Sequence, residues 1–178
     1  MGMLSTREEL VNSLLESYQG YYDIRRCEEE EAPLVAECAF HVHSAKYVLV
    51  KKATLWEANC HEYLYLFSVP VLTEETYCQC RDYVYKYGMQ LVKPEKNHMY
   101  TYLTAVIVAD SSEKQALKLL KRCHIHKSFR FSLRGWMDFH TALIDRDSES
   151  VYTNSAGREN AKFLKKLVRQ VEKRRKEV

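Results

Sequence analysis

Closely spaced histidines are the residues of this chain most suited to binding a metal ion, since imidazole nitrogen is a common zinc ligand. His41 and His43 are separated by one residue in an alternating segment, so both rings are predicted to project from one face of a strand. His124 and His126 form a second pair next to Cys123. If a divalent metal binds, these four histidines are its predicted ligands. Ordinary packing is the competing interpretation, and no other cofactor is indicated.

The neighbouring cysteines do not form a convincing pair. Cys78 and Cys80 stand two positions apart in a predicted helix, where their side chains diverge by about 200°. Cys60 and His61 are adjacent in a predicted strand and therefore point to opposite faces. Neither pair predicts a thiolate nucleophile or a metal site.

A second set of polar residues follows Gly135. Asp138 and His140 alternate with apolar residues, and either could act as a general acid or base. Arg134 and Trp136 lie at the same point of the chain and could contact a partner or a nucleic acid. A half-solvated strand would give the same alternation without any function.

The end of the chain is basic. Residues 157–178 carry nine Lys or Arg against three Glu, a net charge of +6, whereas the whole chain has a net charge of +3. Lys162, Lys166 and Arg169 are the predicted contacts to phosphates or to a partner. A docked helix with a solvated lysine face is the alternative.

Hydrophobic periodicity predicts a mixed α/β fold with one β-sheet flanked by helices, in a single domain over 1–178. The element order is α-β-β-β-α-β-α-β-β-β-α. The predicted elements are a helix over 5–19, an antiparallel meander over 34–69, a helix over 74–87, a βαβ unit over 99–134, a hairpin over 137–154 and a basic helix over 156–176.

Capping and breaking residues set the predicted boundaries. Helices are predicted to start at Ser5, Thr73, Asp110 and Ser155, and to end at Gly20 and Gly88. Pro70 is predicted to end the third strand of the meander, whose hairpin turns fall at 44–45 and 58–60. The segment 127–133 alternates and is predicted to pair in parallel with the strand that begins at Met99.

Glu62, Tyr63 and Leu64 lie in the third predicted strand. The layout α-β-β-β-α-β, over roughly residues 5–110, resembles the core of the PD-(D/E)XK nuclease superfamily, the restriction-endonuclease-like fold. That resemblance implies a divalent metal, an Asp in the second strand and Glu-x-Lys in the third. Here Leu64 replaces the lysine, and the second predicted strand offers Lys51 and Lys52 but no aspartate. The motif is therefore absent or degraded, and no catalytic role carries over from the resemblance. Glu62 stays a catalytic candidate together with Asp138 and His140.

Two other short segments, 134–136 and 151–154, resemble those of bacterial proteins without an assigned function. That resemblance implies a bacterial source. The six cysteines, the charged N-terminal segment and the lack of an apolar run of about 20 residues predict a cytoplasmic protein with reduced thiols and no membrane span.

These observations leave three hypotheses. The first is a non-catalytic domain, on a diverged nuclease-like scaffold, that binds protein or nucleic acid. The second is a metal-dependent nuclease or hydrolase, which requires Glu37, Glu57, Glu62 and the histidines to converge on one metal. The third is a structural or oligomeric role through a tyrosine-rich surface, formed by Tyr63, Tyr65, Tyr83, Tyr85 and Tyr87.

Overall fold

The structure is a computed structural model that describes residues 6–48 and 53–177, with side chains at all of these except 44–48, 53–57, 175 and 176. Its helices are α1 (Arg7–Tyr18), α2 (Glu74–Leu91), α3 (Lys114–Arg122) and α4 (Arg158–Lys176). Its strands are β1 (Asp23–Arg26), β2 (Leu34–Val48), β3 (Ala53–Leu72), β4 (His98–Ser112), β5 (His126–Ser128), β6 (Trp136–Asp145) and β7 (Ser150–Thr153).

The strands form one mixed sheet in the order β1-β2-β3-β4-β6-β5, and β7 also pairs with β6. The pairs β3–β4 and β4–β6 are parallel, and the other pairs are antiparallel. The predicted fold class, a single mixed sheet flanked by helices, is therefore confirmed. The order of helices and strands along the chain is also the predicted one.

Each face of the sheet is covered by two helices. Leu10 and Leu14 of α1 and Leu164 of α4 pack on one face against residues such as Val106. Tyr77 of α2 and Leu120 of α3 pack on the other, and Leu103, Ala105 and Ile107 of β4 belong to that second core. We call these the α1/α4 face and the α2/α3 face. β4 is covered on both sides at its centre, which explains its nearly continuous apolar sequence.

The predicted boundaries within the meander were wrong. Positions 44 and 58 were predicted to lie in two different turns, but they pair with each other in the long β2–β3 ladder. The third antiparallel strand is β1, which falls in a segment predicted to be a connector. β3 continues through Pro70 to Leu72. Its pairing with β2 stops at Phe67, so among the described strands only β4 lies beside Pro70. The N–H that proline lacks is therefore not needed for a hydrogen bond to a second neighbouring strand.

Two predicted helix boundaries also differ from the structure. Gly88 does not end α2, which runs on to Leu91. A Cβ at Gly88 would lie 2.7 Å from Leu103 Cδ2, so this glycine allows α2 to approach β4 closely. Asp110 does not cap α3, because β4 extends to Ser112 and the N-cap is Glu113.

The first and last helices begin differently from the prediction as well. Ser5 lies outside the described residues, and the capping box of α1 is formed by Thr6 and Glu9. Ser155 does not cap α4. The N-cap is Gly157, whose N–H donates to the side chain of Asn154.

The segment 127–133 was predicted to be a parallel strand, but it is mostly a turn. Only His126–Ser128 is extended, and this strand runs antiparallel to β6. The strand that pairs in parallel with β4 is β6, so the crossover runs from β4 through α3 to β6. Phe131 and Leu133, two of the alternating apolar residues of that segment, are 98% and 79% exposed.

Candidate binding site on the α1/α4 face

Polar and aromatic side chains lie side by side on the α1/α4 face, near the start of the parallel β3–β4 and β4–β6 pairings. The strand register aligns Glu62 of β3 with Tyr102 of β4 and Asp138 of β6 in one row across the sheet. The next rows align Tyr100 with Trp136 and Thr104 with His140. Neighbouring strands are about 4.8 Å apart, so these side chains are adjacent. We call this set (Glu62, Tyr100, Tyr102, Trp136, Asp138 and His140) the aromatic–carboxylate surface.

The rings of this surface contact one another. Tyr100 stacks on Tyr102 with 4.5 Å between ring centroids, and the Trp136 ring lies 6.0 Å from that of Tyr100. The His140 ring is 4.3 Å from that of Tyr102. Tyr100, Tyr102 and Trp136 are partly exposed, whereas His140 is buried. They therefore form an aromatic platform that a ligand can reach.

Glu62 is a partly buried carboxylate held by two hydroxyl groups. Its Oε1 accepts a hydrogen bond from the Thr104 hydroxyl at 2.6 Å, and its Oε2 accepts one from the Tyr22 hydroxyl at 2.7 Å. Burial and then the charge of Glu62 raise the pKa of Tyr22, so this phenol stays protonated and continues to donate. Both partners are neutral, and the ion pairs among the described side chains do not include Glu62.

His140 is almost fully buried at 8% exposure. Burial lowers its pKa, although the negative charges of Glu62, Asp138 and Glu159 oppose that shift. The ring is therefore neutral at neutral pH, and it can donate one hydrogen bond and accept another.

Asp138 forms a second polar pair at the edge of the surface. Its Oδ1 lies 2.6 Å from His126 Nδ1, and the two residues are directly opposite each other on β6 and β5. The His126 side chain is 45% exposed. A carboxylate that orients an exposed imidazole can position a general base or a contact to a ligand.

The structure thus brings the predicted residues Glu62, Trp136, Asp138 and His140 together, with His126 beside them. The sequence analysis missed Tyr22, Tyr100, Tyr102 and Thr104. Tyr100, Tyr102 and Thr104 occupy every second position of β4, and this alternation could have indicated that they share one face of the sheet.

The other predicted metal ligands lie elsewhere. His41 and His43 project from the α2/α3 face of β2, where His41 Nδ1 is 2.8 Å from His61 Nδ1 and His43 Nδ1 is 2.6 Å from Asn59 Oδ1. His124 follows α3, and His126 is on β5, which is separated from β2 by three strands. The four histidines therefore do not form one site.

The carboxylates of the predicted metal site are also separated. Glu37 alternates onto the α2/α3 face, opposite to Glu62, and forms an ion pair with Arg25 at 2.9 Å. The side chain of Glu57 is outside the described part. Across the side chains that the structure describes, no three His, Cys, Asp or Glu residues are grouped so as to hold a metal ion.

The predicted basic contacts are divided between two regions. Lys162, Lys166 and Arg169 are exposed on α4. Arg134 lies in the turn before β6, where its carbonyl oxygen accepts a hydrogen bond from His98 Nδ1 at 2.6 Å.

Residues 6–166 match the family described as "Domain of unknown function (DUF8052)". The chain belongs to this family. The matched range includes every residue of the aromatic–carboxylate surface. No curated protein and no solved structure matches the chain. Among the described residues, no helix has both the length and the apolar character needed to cross a membrane.

Proposed function

We propose that this chain is a non-catalytic binding domain on a diverged nuclease-like scaffold, and that its aromatic–carboxylate surface holds a cationic group of a protein partner. Glu62 carries this proposal. A partly buried carboxylate is costly unless a cation pairs with it, and among the described side chains Glu62 bonds only to the hydroxyls of Tyr22 and Thr104. A guanidinium or ammonium group would complete the site.

The aromatic rings support the same ligand chemistry. A cation above the face of a tyrosine or tryptophan ring is attracted by the ring quadrupole, and Arg is the most frequent partner. Tyr100, Tyr102 and Trp136 form a platform next to Glu62 and Asp138, so one arginine could stack on a ring and pair with a carboxylate. Arginine and aromatic residues are also the side chains that dominate protein interfaces.

The charges at this surface favour a protein over a nucleic acid. Glu62, Asp138 and Glu159 act together on the His140 ring, so the local potential is negative. Such a potential repels phosphates. A nucleic acid would instead have to contact Lys162 and Lys166 on α4.

The element order supports the nuclease-like scaffold. α1, β1–β3, α2 and β4 follow the α-β-β-β-α-β layout, and Glu62 lies in the third strand. The acidic residue of the second strand, Glu37, projects from the opposite face, and Leu64 stands at the lysine position. The scaffold is therefore proposed without the catalytic motif.

The proposal can be tested by the fluorescence of Trp136 in a Trp56→Phe background, with an acetylated hexa-arginine peptide as the probe. We expect saturable binding that weakens by tenfold or more in Glu62→Gln, since a charge-assisted hydrogen bond is worth about 1.5–3 kcal/mol and about 1.4 kcal/mol is tenfold. Glu16→Gln, which removes an exposed carboxylate on α1, is the matched control and should bind like the parent.

Equal affinity of the Glu62→Gln and Glu16→Gln variants would contradict the proposal. Labelled single-stranded and duplex DNA, with and without Mg²⁺ or Mn²⁺, tests the alternatives. Metal-dependent cleavage lost in Glu62→Gln would favour the nuclease or hydrolase. Salt-sensitive binding lost in Lys162→Glu/Lys166→Glu would favour a nucleic-acid-binding domain.

A further inference from the structure

The turn between β5 and β6, residues 129–135, displays two large apolar side chains in water. Phe131 is 98% exposed and Leu133 is 79% exposed. Arg130, Phe131 and Ser132 have φ values of 48°, 53° and 67°, in the left-handed region that L-residues disfavour. Gly135, with φ 72°, closes the turn. Backbone strain of this kind persists only where the surrounding structure enforces it.

The surrounding hydrogen bonds do enforce it. The Phe129 N–H donates to the Gly135 carbonyl at 2.9 Å, and the Arg134 N–H donates to the Phe129 carbonyl at 3.1 Å. Phe129 itself packs against the His98 ring at 5.8 Å. The turn is therefore a preformed projection that holds Phe131 away from the protein, and we call it the Phe131 turn.

The Phe131 turn and the residues next to it in the chain are basic. Lys127, Arg130 and Arg134 lie within it or next to it, and no Asp or Glu occurs between Glu113 and Asp138. A suitable binding partner would thus present an apolar cavity with an acidic rim.

The chain carries such a cavity near the opposite edge of its sheet. A groove of about 430 Å³ lies between β1–β3 and the C-terminal end of α2, and its apolar lining includes Ala39, Tyr63, Tyr65 and Leu91. Asp23 and Glu37 also line it. Leu91 is 43% exposed. Arg25, the one basic residue among the described lining residues, already pairs with Glu31 and Glu37. We call this cavity the Leu91 groove, and its size is that of pockets that bind compact ligands.

We infer that the Phe131 turn of one copy of this chain binds in the Leu91 groove of a second copy, with Arg130 facing the acidic rim at Asp23. The Phe131 turn and the Leu91 groove are complementary both in apolar character and in charge. β1 and β5 are at opposite ends of the strand order, so a chain cannot fill its own groove. Because the turn and the groove are different surfaces, the contact is head-to-tail. Each copy can then bind a further copy, unless the copies close into a ring. This interface is separate from the aromatic–carboxylate surface.

The inference is tested by sedimentation velocity of the full chain over a concentration series. We expect wild type to self-associate, and Phe131→Ser and Leu91→Glu each to weaken association by tenfold or more, as for a central interface residue. An equimolar mixture of the two variants should give a 1:1 dimer, since one copy keeps the groove and the other keeps the turn. Tyr21→Ser, which removes another exposed aromatic side chain, is the control and should behave as wild type.

A charge exchange gives an independent test that leaves the apolar contacts intact. Arg130→Glu and Asp23→Arg should each weaken association, and the double variant should restore it. Three outcomes would overturn the inference: a monomeric wild type at millimolar concentration, a variant mixture that stays monomeric, or Phe131-dependent binding to anionic lipid vesicles by a chain that does not self-associate.

Discussion

Asn154 is a buried amide whose hydrogen bonds connect four parts of the fold. Its Oδ1 accepts from the N–H groups of Thr141 at 3.1 Å and Gly157 at 2.9 Å. Its Nδ2 donates to the carbonyls of Cys123 at 3.0 Å and Phe139 at 2.8 Å. The residue thus joins β6, the end of β7, the start of α4 and the end of α3.

We expect Asn154→Asp to lower the free energy of unfolding by about 2–4 kcal/mol, because the new carboxylate oxygen would face two carbonyl oxygens in a buried site. Urea denaturation measures the change. Asn12→Asp, on the exposed side of α1, is the matched control and should have little effect. A similar small loss in both variants would show that the Asn154 amide is not a stabilising connection.

At the scale of elements, the end of β4 is tied to α1 and to the hairpin after β6. Asp110 pairs with Arg7 of α1 at 2.7 Å and with Arg146, which follows β6. Arg7 also donates to the Ser68 hydroxyl of β3 at 3.2 Å. The carboxylate predicted to be a helix cap instead holds three separate elements together.

We expect Asp110→Asn to lower the free energy of unfolding by only about 1 kcal/mol, because these side chains are 20–39% exposed and water screens their pairing. The exposed Asp147 provides the control, since Asp147→Asn removes one carboxylate charge from the hairpin that Asp110 contacts through Arg146. A double-mutant cycle with Arg7→Met should show coupling. Strict additivity of the two substitutions would mean that the Arg7–Asp110 pair contributes nothing to stability.

At the scale of the whole molecule, two histidines on opposite faces of the sheet make folding sensitive to acid. Burial is the main cause that lowers the pKa of both His61 and His140. The charges of His41 and His98 lower the pKa of His61 further. The His41–His61 hydrogen bond needs one unprotonated Nδ1, so it is lost when both rings are protonated.

We therefore expect stability to decrease as the pH falls from about 7 towards 5. Unfolded histidines bind protons near pH 6.5, and these two folded ones do so only at lower pH, so the unfolded state holds more protons in that window. Thermal melts at pH 7.5 and 5 should show a smaller difference in His61→Gln/His140→Gln than in wild type. The exposed His124 supplies the control variant, and an equal pH effect in all three proteins would contradict the prediction.

The local pattern of the sequence determined the kind and order of the elements. Apolar residues at helical spacing specify α1 and α4, and the hairpin over β6 and β7 follows from alternation and a polar turn. These properties depend on neighbours within a few residues. The predicted element boundaries were wrong where contacts with distant residues decide the conformation. Gly88 packs against Leu103, and Pro70 lies where the described part of β3 has one neighbouring strand. Asp110 pairs with Arg7 and Arg146.

The candidate site itself depends on tertiary structure. Glu62, Asp138 and His140 were each predicted from residue type, but they are adjacent only because β3, β4 and β6 pair in one parallel register. The same sheet places His41 and His126 near opposite edges. Strand order and register come from packing the two cores against four helices, which no short stretch of sequence encodes. The sequence therefore supplies the functional groups, and the pairing of distant strands decides which of them meet.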